Sequence, residues 1–149
     1  MALDMSLEIE GEKPDWEALG QAAIATGVED FANPLAEKGA GNFLTKYYNK
    51  EERFDGYFLK SFAHFRLHKK SVLGKIYAEG NHGCDFNTQY SIIFRINNNY
   101  YDEFVEDIRK FLNTLVALSP MQFVLSFQYE GIYAIHHKDN FEFFWDSPR

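Results

Sequence analysis

Residues 99–145 read NYYDEFVEDIRKFLNTLVALSPMQFVLSFQYEGIYAIHHKDNFEFFW, and this stretch decides the fold. Its first half repeats apolar residues at helical spacing: Phe104, Val105, Ile108, Phe111, Leu112, Leu115 and Val116. A stripe of that period is one face of an amphipathic helix. Asp102, Glu103, Glu106 and Asp107 fill the early turns, where the helix dipole favours negative charge. Asn98 or Asn99 is expected to cap the helix, and Ser119-Pro120 to stop it. The second half changes period. Phe123, Leu125, Phe127 and Tyr129 alternate with Val124, Ser126, Gln128 and Glu130. Glu130-Gly131 and Lys138-Asp139-Asn140 then read as turns into strands Ile132–His137 and Phe141–Trp145. A long helix followed by a local β-meander is the signature of a helix laid on an antiparallel sheet.

Upstream, Thr88–Asn97 and Val72–Glu79 read as strands, joined through Gly80-Asn81-His82-Gly83. The segment Gly56–Lys70 fits two periods, with Phe58, Phe62 and Phe65 near helical spacing and Ala63, Phe65 and Leu67 alternating. Its aromatic content favours strand without deciding the matter. Asn42–Tyr48 is a further aromatic strand candidate, and Asn33-Pro34 marks a turn. At the amino terminus, Met5, Leu7 and Ile9 alternate with Ser6, Glu8 and Glu10 in a half-buried strand that ends at Gly11. Pro14 suits the first turn of a helix, whose apolar face carries Trp16, Leu19, Gly20, Ala23 and Ile24 and whose left-handed cap is Gly27. Val28–Ala32 is a short strand candidate. The whole, residues 1–149, is expected to be a single α+β domain. It would have an antiparallel sheet, a C-terminal β-meander and two main helices packed on the sheet.

Composition narrows the function classes. The chain has 149 residues, of which 46% are hydrophobic and 25% charged, the balance of a soluble globular domain. Aromatics reach 17%, enough to build a core largely of rings. A lone Cys84 excludes an internal disulfide and suggests a reducing compartment. Neither a cationic, apolar export signal nor a membrane-length apolar run is present, so a cytoplasmic location is expected. The net charge of −7 disfavours general nucleic-acid binding. That charge is uneven. Residues 1–37 hold nine acids against one base, whereas residues 38–149 hold 13 acids against 14 bases. The acidity therefore belongs to the first quarter of the chain, which could steer a basic partner.

Candidate chemistry is sparse. His64 and His68 would share a helical face, but on a strand they stand about 13 Å apart, too far for one metal ion. His82-Gly83-Cys84-Asp85 is a polar knot without a third member for a nucleophilic or metal site. His136 and His137 face opposite sides of a strand. The first-strand acids read as a solvated strand face, and Glu51/Glu52 as part of a charged turn. No phosphate-binding glycine loop or nucleophile elbow occurs, so no cofactor or metal is expected.

Size, the acidic amino-terminal block, the single cysteine and the late helix plus meander together resemble the immunity proteins of bacterial polymorphic toxin systems. The resemblance is one of type and carries over no binding residues. It implies a non-enzymatic domain that binds a cognate, basic protein toxin and blocks it. On the charge pattern, Glu8, Glu10, Glu12, Asp15, Glu17, Glu29 and Asp30 are the expected partner-binding residues. The alternative is a small-molecule-binding domain or enzyme with an aromatic-lined pocket, for which His82, Cys84 and Asp85 come first.

Overall fold

The computed structural model describes residues 3–11, 14–30, 54–75, 87–127, 131–137 and 139–144. In chain order the elements are β1 (Leu3–Glu10), α1 (Trp16–Thr26), β2 (Val28–Asp30), β3 (Asp55–Phe58), β4 (His64–Lys75) and β5 (Asn87–Ile96). A 3-10 turn (Asn98–Tyr100), α2 (Tyr101–Leu118), β6 (Phe123–Phe127), β7 (Gly131–His137) and β8 (Asn140–Phe143) follow. The strands form one eight-stranded sheet in the order β2-β3-β4-β5-β1-β6-β7-β8. Every strand pairing is antiparallel. This is the expected α+β fold, with the meander as its last three strands. The first strand has become the centre of the sheet, between β5 and β6.

Period two sorts the sheet into two faces. Met5, Leu7 and Ile9 of β1 and Tyr90, Ile92, Phe94 and Ile96 of β5 are all buried in one cluster with α1 and α2. Helix α2 contributes Phe104, Ile108, Phe111, Leu112 and Leu115 to it. The rings interlock. Phe58 stacks on Phe94 at 5.9 Å and meets Phe65, Phe104 and Phe111 at 5.4–6.2 Å. Tilted and edge arrangements at these distances suit the ring quadrupoles. Opposite lie Asp4, Ser6 and Glu8 of β1, with Ser91, Ile93 and Arg95 of β5 as their register partners.

Local details refine the sequence reading. Gly56–Lys70 is neither a helix nor one strand but a hairpin, β3 and β4, turning through 59–63. Neither Asn98 nor Asn99, the expected caps, caps α2; both fall in the 3-10 turn before it. The Asn97 side chain accepts from the Asn99 N–H and starts the 3-10 turn, and Tyr100 at the helix N-cap makes no side-chain cap. Pro14 lies just outside α1, because Asp15 is the cap and accepts from the Ala18 N–H at 3.1 Å. Gly27 closes the helix at φ 97°, where only glycine is unstrained. The Asn42–Tyr48 strand, the Asn33-Pro34 turn and the His82–Asp85 knot lie outside the described residues.

Candidate functional site

Of the seven acidic residues expected to bind a partner, the six described fall in four places. Glu8 is the first surprise. Strand alternation predicts a solvated position for it, yet it is 0% exposed. Its carboxylate lies on the sheet face away from the helices, where Ser6, Ser91 and Ser126 are also buried. Thr88 Oγ1 donates to Glu8 Oε2 at 3.1 Å, and Lys70 Nζ lies 3.7 Å from the same oxygen. Lys70 also donates to Thr88 Oγ1 at 3.0 Å, closing a small charged network. Glu8 Oε1, Ser6 Oγ and Ser126 Oγ have no hydrogen-bond partner among the described residues. Alternation identified the face correctly but said nothing of whether water reaches it.

Glu10 and Asp15 are brought together. Both line a pocket of about 410 Å³ with Asp139, Ser119, Met121 and Gln122. The pocket is tied down from three sides by the connector after α2. The Glu10 N–H donates to the Gln122 carbonyl at 2.9 Å, the Asp15 N–H reaches Met121 Sδ at 3.1 Å, and the Met121 N–H donates to Ser119 Oγ at 3.1 Å. Buried His136 holds the connector from β7, its Nδ1 lying 2.7 Å from the Met121 carbonyl oxygen. A carbonyl oxygen only accepts, so Nδ1 carries the proton. His137 faces the other way and is half-buried. Asp139 stands exposed in the β7–β8 turn at φ 65°, a region aspartate tolerates. It was missed as a site residue because a turn aspartate explains itself locally; only the register of β6 and β7 carries it to Glu10.

The other acids are elsewhere. Glu17 is exposed in the first turn of α1. Glu29 and Asp30 belong to β2, four strand spacings from β1 and therefore ~19 Å across the sheet. Glu12 lies outside the described residues. Two further acids are buried, Asp55 of β3 and Asp107 of α2. Asp107 on α2 is 4% exposed, and burial pushes its carboxyl above the ordinary value despite the opposing hydrogen bonds from Ser61.

Three acidic residues lining one pocket give it a negative charge that would attract an ammonium or guanidinium group. Among the described residues no cluster of three or more His, Cys, Asp or Glu has metal-holding geometry, and no helix is long and apolar enough to cross a membrane. Comparison with protein-family models, with curated proteins and with solved structures gives no match.

Proposed function

We propose that this chain is a binding protein of the toxin-immunity type, which neutralises a cognate basic protein toxin by occupying its surface. The observation that carries the reading is the convergence of Glu10, Asp15 and Asp139 on one pocket held by the 119–122 connector. The partner would place a lysine or arginine there, with the −8 charge of residues 1–37 steering its approach. Neutralisation is then steric, and the chain performs no chemistry.

The test is affinity capture of the tagged full chain from its native lysate, with mass spectrometry of what is retained. A single stoichiometric basic protein supports the reading. The same capture with Glu10→Gln, Asp15→Asn and Asp139→Asn combined should lose it. Each change is isosteric, and asparagine keeps the α1 cap. Undiminished capture by the triple variant would remove the pocket from the interface.

A further inference from the structure

A second surface is built from residues of opposite character. On β4, His64, Arg66, His68 and Lys70 occupy alternate positions and so share the sheet face that carries Glu8. Successive members of such a row stand ~6.6–6.8 Å apart. Arg95 of β5, the register partner of His64, extends the row sideways. The acids facing it are Asp4, which holds Arg95 at 3.1 Å, Glu8, which holds Lys70 at 3.7 Å, and Asp55, the register partner of Arg66. Arg66 and His68 are exposed and have no ion pair among the described residues.

Two depressions open along this row. One of about 320 Å³ has Ile93 at its floor and His64, Arg66, His68 and Arg95 around it. The other, about 430 Å³, shares His64 and Arg95 and continues past Asn97–Asn99 to Phe62. They adjoin at His64 and Arg95, and together they run from a cationic end at Arg66 and His68 to an aromatic end at Phe62. The aromatic end is held at a conformational cost. Phe62 sits at φ 58°, a region where a bulky side chain is a true outlier. It is 46% exposed, edge-on to Tyr100 at 4.9 Å. The hairpin pins it there: the Phe62 N–H donates to the Phe58 carbonyl at 2.9 Å, and the Phe58 N–H to the Ala63 carbonyl at 3.0 Å. A turn needing a left-handed residue ordinarily takes glycine. Displaying a ring there instead exchanges backbone ease for an aromatic surface, the pattern by which strain marks a binding site.

We propose that these adjoining depressions together bind a nucleoside phosphate, its base on Phe62 and its phosphates on Arg66 and His68. Cations fix phosphate, and an exposed ring accepts any base through its π-face. The asparagines at 97–99 supply amide groups between the two ends. An extended peptide is the weaker fit. At residues 64–66, strand β4 lies between β3 and β5, and β5 lies between β4 and β1, so no free edge is offered for strand addition there.

The experiment is calorimetric titration of the full chain with adenosine diphosphate, inorganic pyrophosphate, adenosine and a short single-stranded oligonucleotide. The proposal expects the diphosphate to bind best, pyrophosphate weakly and adenosine not measurably. Arg66→Ala with His68→Ala should weaken both phosphate ligands, about tenfold or more for the diphosphate. Phe62→Gly should weaken only the diphosphate, while its melting temperature stays the same or rises because glycine accepts the positive φ. That melt separates lost binding from lost folding. No binding of adenosine diphosphate, or binding that survives all three substitutions, overturns the proposal. Pyrophosphate binding as tightly as the diphosphate, with Phe62→Gly silent, reduces the site to a phosphate patch and overturns it too. Binding of the oligonucleotide alone replaces it with nucleic-acid recognition.

Discussion

The two faces of the sheet bury their centres by opposite means. The helix-covered face is filled with rings: Phe54, Phe58, Phe65, Phe94, Phe104 and Phe111 lie within one contact network and are at most 2% exposed. The other face buries Ser6, Glu8, Ser91 and Ser126 at its centre, sets a smaller apolar cluster of Val124, Ile132 and Ile135 on one side of them and places cations along the other side. The first arrangement gains free energy from apolar area and dispersion. The second gains less from area and leaves Ser6 Oγ, Ser126 Oγ and Glu8 Oε1 without a hydrogen-bond partner among the described residues. The larger apolar core lies on one face, and the buried carboxylate Glu8 with the cationic row lies on the other.

The contrast can be broken most severely at Phe58. Phe58→Ala should cost about 3–5 kcal/mol, the usual loss for an aromatic removed from a packed core. Denaturant unfolding should show the midpoint falling with the slope retained. On the polar face, Lys70→Met removes the ammonium beside a fully buried carboxylate. It should cost about 1–3 kcal/mol, below the figure for fully buried pairs because Lys70 is itself partly exposed. Adding Glu8→Gln should recover most of that loss, since removing both partners leaves no orphan charge. A double variant as unstable as Lys70→Met alone would mean that Glu8 acts through packing rather than charge.

A buried carboxylate also stands on the helix side of the sheet, and Asp107 of α2 sharpens the comparison further. Its burial raises the folded carboxyl above the unfolded value. The folded state therefore binds its proton more tightly. The stability this supplies is present below the ordinary aspartate value and is lost as pH rises through the folded one. Asp107→Asn should raise the melting temperature at pH 7 by about 2–4 °C, the shift expected for roughly 1 kcal/mol in a chain of this size. The gain should vanish near pH 3, where the wild-type carboxyl is protonated. The smallest effect belongs to the exposed Lys60–Glu106 pair at 2.6 Å, where Lys60→Ala should leave the melting temperature nearly unchanged.

Much of this architecture is readable from residue order. The α2 stripe, the meander and the β1 alternation rest on periods that survive any tertiary context, and each is present. What failed was information that a local window does not contain. The alternation of Ser6, Glu8 and Glu10 separates two faces, but a polar face is solvated in most antiparallel sheets. Nothing near Glu8 announces that Lys70 and Thr88 will close on it from β4 and β5. Gly56–Lys70 was ambiguous because a turn carried by Phe62, not by glycine, sits inside it. The site fared likewise. Glu10 and Asp15 were legible as charge, but their meeting with Asp139 depends on pairings between segments more than a hundred residues apart. The alternating His64, Arg66, His68 and Lys70 were visible as residues and become a row only once the segment is a strand.

The central functional claim is that the carboxylate pocket, and not the cationic row, meets a basic protein partner. It is tested most directly by capture with three baits side by side: the wild type, the Glu10→Gln/Asp15→Asn/Asp139→Asn variant and the Arg66→Ala/His68→Ala variant. Each would be washed at about 0.1 M and then at about 1 M salt, where the screening length falls from ~10 Å to ~3 Å. The account predicts that the partner is retained by the wild type and the Arg66/His68 variant, is lost from the pocket variant, and is weakened by salt on the first two. Equal retention by all three baits, or loss only from the Arg66/His68 variant, would contradict it.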